Sequence, residues 1–151
     1  VKRAVLLSLG AALGHSVALA TVAPPLSLAD QARKAQIIVQ ARVTNVSSQE
    51  RDGQRWTVYR LTVSETLFGN VGALPTFENT PALWVLEGVE DAPVLRANDE
   101  AVMLLYGGLQ DSPVVGFNQG LYRIQNGRVE GGTPTELPAF KAAVLRARSG
   151  Q

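Results

Sequence analysis

The sequence predicts a mainly β domain: a small antiparallel barrel of five to seven strands, with a short N-terminal helix and a C-terminal helix. Three observations lead there. Ala35–Asn70 reads as a long β-hairpin, two alternating strands joined by a polar tip. Ala82–Leu86 and Ala101–Tyr106 are short continuous apolar runs bounded by turn residues, the pattern of central strands. Asn126-Gly127, set between two short strand-like segments, is a strong two-residue hairpin signal. Short strands, bending and few helices favour a barrel over an open sandwich.

In chain order, Lys2 and Arg3 precede an apolar run, Ala4–Gly14, and Ala18-Leu19-Ala20 is an A-x-A cleavage pattern. Residues 1–20 are therefore expected to be a secretory signal peptide, too short in its apolar part to span a membrane, with Thr21 as the mature N-terminus. Residues 21–35 form a linker and a short helix. Thr21–Pro25 is extended by its prolines, and Ser27-Leu28-Ala29-Asp30 has the spacing of a helix-start box. Residues 36–132 are expected to form the barrel. Ile37, Val39, Ala41 and Val43 alternate with polar residues, and the phase then slips at Asn45 and Val46, predicting a β-bulge.

Ser47–Gln54 is read as the hairpin tip, with Asp52-Gly53 as its turn. The second strand is Arg55–Leu67, with Tyr59, Leu61, Val63 and Leu67 on one face and Trp56, Val58, Arg60, Thr62 and Ser64 on the other. Thr76–Glu78 and Val114–Phe117 are short strand candidates. Residues 133–151 hold the last helix, starting near Thr135 or Glu136 so that Pro138 stays in the first turn. Leu137, Phe140, Val144 and Ala147 form its apolar stripe.

Export would remove Lys2 and Arg3, two of the 14 basic residues, and none of the 13 acidic ones, taking the net charge from +1 to −1. A nearly neutral domain has no global electrostatic reason to seek nucleic acid or an anionic membrane. The chain has no cysteine, so no disulfide can form and burial alone must hold the core.

Several short stretches resemble a group of exported bacterial domains of unassigned function. These are Ala35-Gln36-Ile37-Ile38-Val39 with Val43, Leu67-Phe68-Gly69, Asn98-Asp99-Glu100 before Ala101–Tyr106, and Gly116–Ile124. That group is similar in outline to the oligonucleotide/oligosaccharide-binding (OB-like) barrel of tissue inhibitors of metalloproteinases and netrin modules. The resemblance implies an OB-like barrel and export. It does not carry metalloproteinase inhibition, which in that family depends on an N-terminal cysteine. Gln36 also stands where the group usually has aspartate.

Chemistry is narrowed by what the mature chain lacks. His15, the single histidine, lies in the segment expected to be removed. Without histidine or cysteine, Ser-His-Asp and Cys-His catalysis and the usual zinc and copper sites are excluded. No catalytic residue, metal site or cofactor is therefore assigned. Glu87, Glu90 and Asp91, with Asp99 and Glu100 nearby, are either a solvated loop, the ordinary reading, or a carboxylate site for glycan hydrolysis or for calcium, though the spacing matches no calcium loop. Gly116 and Gly120 bracket Phe117-Asn118-Gln119. This is either a tight connection, the ordinary reading, or a ligand-contacting loop with an aromatic platform.

The leading expectation is an exported, non-catalytic binding module for an extracytoplasmic protein or glycan. The alternatives are a carboxylate-dependent glycan hydrolase and a single-strand nucleic-acid-binding barrel, the last opposed by charge. The candidate ligand-binding residues are Arg42, Trp56 and Arg60. If Val46 lies opposite Trp56, Arg42 lies opposite Arg60 on the outer face. Opposed like charges need either an acidic ligand, such as a peptide or glycan, or an internal carboxylate such as Glu130 or Glu136.

Overall fold

The computed structural model describes residues 24–151. The expected signal peptide, its cleavage before Thr21 and His15 lie outside the described residues. The elements run α1 (Leu28–Lys34), β1 (Ile37–Arg51), β2 (Gln54–Phe68), β3 (Thr76–Phe77), β4 (Thr80–Leu86), β5 (Glu100–Leu105), β6 (Leu121–Gln125), β7 (Arg128–Val129) and α2 (Leu137–Ser149). The strands form one antiparallel sheet in the order β3-β4-β2-β1-β5-β6-β7.

The expected barrel is corrected to an open sheet. Its edge strands, β3 and β7, are two residues each and pair only with β4 and β6. The sheet nevertheless curls. β4 and the segment after β5 lie on opposite sides of the β1–β2 pair, yet the Leu86 amide donates to the Asp111 carbonyl at 3.0 Å.

Two cores lie back to back on the central strands. Ile37, Val39, Ala41 and Val43 face inward with Tyr59, Leu61, Leu83, Val85, Met103 and Leu105. Ile38, Val102 and Leu104 face outward under α1 and α2, where Phe140 and Val144 are fully buried. Burial on both faces explains why Ala101–Leu105 is continuously apolar rather than alternating. The predicted stripe of α2 packs here, and Pro138 falls in the first turn.

The hairpin differs from expectation in extent. β1 continues through Ser47–Arg51, leaving only Asp52-Gly53 as the turn, both left-handed at φ 53° and 74°. Polar residues extend a strand when backbone pairing continues and neither side chain needs burial. The predicted bulge is found at Thr44, the extra residue between the Val43–Leu61 and Asn45–Arg60 pairs. Further register shifts nearer the start of β1 put Leu67 with the helix-side core, not on the Tyr59 face. The expected strand Val114–Phe117 is reduced to one bridge, Val114 to Leu105, followed by a turn.

Candidate functional site

The tight Asp52-Gly53 turn sets the register of the candidate arginines, placing Val46 opposite Tyr59 instead of Trp56, and the bulge then shifts it by one residue. With Thr44 looped out, Arg42 faces Thr62 and Arg60 faces Asn45, while Trp56 faces Gln49. The two guanidinium groups are therefore not opposed, and the register expected for them is corrected. Each has its own carboxylate. Arg42 donates to Glu100 at 2.6 Å and to the Asn98 carbonyl at 3.1 Å. Arg60 donates to Glu78 at 2.8 Å. The expected partners are otherwise engaged or distant: Glu136 pairs with Arg128, and Glu130 has no ion-pair partner among the described residues.

Arg42 ends a polar chain across the outer face. Lys141 of α2 donates to Glu65 and, at 2.8 Å, to Gln40; Gln40 donates to Glu100 at 2.7 Å; Glu100 accepts from Arg42. Helix α2 thus does reach this face, but with a lysine rather than an acid. Trp56 is buried against Trp84, ring centroids 6.3 Å apart and edge-on, with Phe77 completing the cluster. Its Nε1 and the Nε of Arg60 are buried with no hydrogen-bond partner among the described residues. Both atoms are closed off from the surface, so no ligand reaches them without side-chain movement.

The acidic loop does not assemble either. Glu87 accepts from Ser48 at 2.9 Å, and Asp99 accepts the Arg96 amide at 2.8 Å. No aspartate or glutamate among the described residues is buried, and no three potential metal-ligating side chains come together there.

Glu87 and Asp91 line a cleft of about 290 Å³, and a second concave site, with more apolar walls, forms at the loop that follows β5. A cleft of about 460 Å³ opens between Pro24–Leu26, the end of α1, and residues 106–119. Leu26, Tyr106, Leu109, Val114 and Phe117 give it apolar walls, and Lys34 and Asp111 bring one charge of each sign. Neither charge has an ion-pair partner among the described residues.

Local chemistry fixes the loop. Gly116 is left-handed at φ 65°, and its carbonyl accepts the Asn118 and Gln119 amides at 2.9 and 3.2 Å. Gly120 is needed for closeness, since a Cβ there would sit 2.9 Å from the Leu104 carbonyl oxygen. Gln119 staples the N-terminal segment to the loop, accepting from the Leu26 amide at 2.7 Å and donating to the Pro24 carbonyl at 3.0 Å. The Ser112 hydroxyl donates to the Phe117 carbonyl at 2.9 Å. Phe117 itself is left-handed at φ 65° and 40% exposed.

The Gly116–Gly120 bracket, read from sequence mainly as a tight connection, is one: Gly116 is left-handed and its carbonyl caps the turn. Lys34, Leu109 and Asp111 carry no local signal, because more than 70 residues separate Lys34 from the loop that completes its site. Comparison with protein-family models and with curated proteins finds no match for the chain.

Proposed function

We propose that the chain is an exported, non-catalytic binding module whose ligand sits in the cleft beside Phe117. The observation that carries this is Phe117. A bulky residue in left-handed backbone costs roughly 1–2 kcal/mol, and strained residues of this kind cluster where they serve recognition. Glycine would hold the same turn without strain and without exposing an aromatic ring. Instead the chain places that ring at the mouth of an apolar cleft of ligand-binding size.

The non-catalytic reading is supported by the missing histidine and cysteine of the expected mature chain and by the exposure of its carboxylates. Export is supported by the basic start, the apolar run and the A-x-A pattern. Kinship with OB-like barrels is supported by the long bent hairpin and by the Leu86–Asp111 bond that draws the two sides of the sheet together. An acidic ligand on the Arg42, Trp56 and Arg60 face is not retained, because both guanidinium groups already hold carboxylates and the indole is buried.

The test is a screen of small apolar and amphipathic compounds read by amide chemical shifts. Perturbations are expected to cluster on residues 106–119. Phe117→Gly is expected to weaken binding at least tenfold while stability stays within about 1 kcal/mol, because relief of strain offsets lost packing. Undiminished binding by this variant, or shifts confined to other surfaces, refutes the reading.

A further inference from the structure

Resting on that reading of the cleft, we propose a class of ligand: short apolar peptides with both termini free. Lys34 stands at the end of α1 and Asp111 on the opposite loop, and both line the same cleft. They do not pair with one another, and neither is paired elsewhere among the described residues. The cleft thus offers an unpaired ammonium and an unpaired carboxylate together with apolar lining from Leu26, Tyr106 and Val114.

A ligand complementary to that arrangement is dipolar, with a carboxylate for Lys34, an ammonium for Asp111 and an apolar body between them. A singly charged ligand would leave one of the two unanswered. The cleft volume is in the range for ligands larger than one amino acid. Phe117 and Leu109, each part-exposed at the rim, would cover apolar side chains of the peptide.

The backbone supports the same class. The Gly116 carbonyl is taken by its own loop, and the Pro24 and Phe117 carbonyls by Gln119 and Ser112. With those three carbonyls engaged, the two charges and the apolar walls answer the ends and the body of the ligand.

The experiment titrates the isotope-labelled protein with the dipeptide Leu-Phe, its N-acetyl form and its C-terminal amide. Shifts on residues 106–119 are expected with the free dipeptide, and each cap is expected to weaken binding about tenfold or more. Asp111→Asn is expected to erase the difference made by acetylation, and Lys34→Gln the difference made by amidation. Both residues are exposed, and the same spectra verify that the variants are folded. If capped and free dipeptides bind equally in the cleft, the dipolar class is overturned while the cleft remains a binding site. If neither the dipeptides nor uncharged apolar compounds shift the cleft, both readings fall.

Discussion

Arg148 shows how much one side chain can hold. Read from sequence, it is a cation suited to the C-terminus of its own helix. In the fold its Nη1 donates to the Ala32 and Ala35 carbonyls, both at 2.6 Å, closing the end of the other helix, α1. Its guanidinium lies over the Phe68 ring, 3.4 Å from the centroid. Three segments therefore meet on one planar group. Arg148→Lys is expected to cost about 1–3 kcal/mol in chemical denaturation, because an ammonium cannot serve both carbonyls while stacking on a ring. A midpoint equal to that of the parent would mean the contacts carry no net energy. None of this was legible locally, since the two carbonyls lie more than 110 positions away and Phe68 lies 80 away.

At the scale of elements, the long hairpin was readable because its alternation is strong, and its register was not. One looped-out residue, Thr44, reverses the faces of everything between it and the turn. Arg42 and Arg60 looked opposed only on the assumption that Val46 lies opposite Trp56, whereas the two-residue turn puts it opposite Tyr59. Helix α1 was readable from Ser27 and Asp30. The Ser27 hydroxyl and then Arg33 hold the Asp30 carboxyl below its ordinary range. What anchors α1 to the sheet was hidden: the Tyr122 phenol on β6 donates to Gln31 at 2.6 Å, and Gln31 donates to the Leu26 carbonyl. Burial raises the Tyr122 phenol above its ordinary value of 10. A group raised in this way lends stability that is complete below pH 10 and is lost as pH climbs through the folded-state value. Tyr122→Phe is expected to be less stable at pH 7 but to lose stability less steeply above pH 10. Parallel curves of stability against pH for the two proteins would exclude this coupling.

The whole molecule is organised by β1 and β5, which wall off the curled interior on one side and the helices on the other. Leu104 is completely buried on the helix side with Ile38 and Phe140. Leu104→Ala is expected to cost about 2–5 kcal/mol, measured by denaturant unfolding; an unchanged midpoint would show that the helix-side layer adds little. Alternation made β1 legible from sequence, and a continuous apolar run made β5 so. Closure was not, because whether a sheet's ends meet depends on pairings between distant residues that no local pattern encodes. Strands β3 and β7 are too short to announce themselves as edges. The cleft was illegible for the same reason, being assembled from Pro24 at one extreme and Gln119 at the other.

The two-sided burial of β5 also bears on how freely this chain can drift under mutation. Ala101–Leu105 has no solvent-facing position on which a polar substitution could be absorbed, since each of its residues lines one core or the other. The distal hairpin is the reverse. From Thr44 to Gln54 every residue is at least partly exposed, so side chains there can turn over while backbone pairing keeps the shape. Descendants of this sequence would diverge fastest at the hairpin tip and hold Ala101–Leu105 nearly constant in hydrophobicity and volume. That five-residue stretch, more than any surface feature, is the mark by which distant relatives of the fold could be recognised.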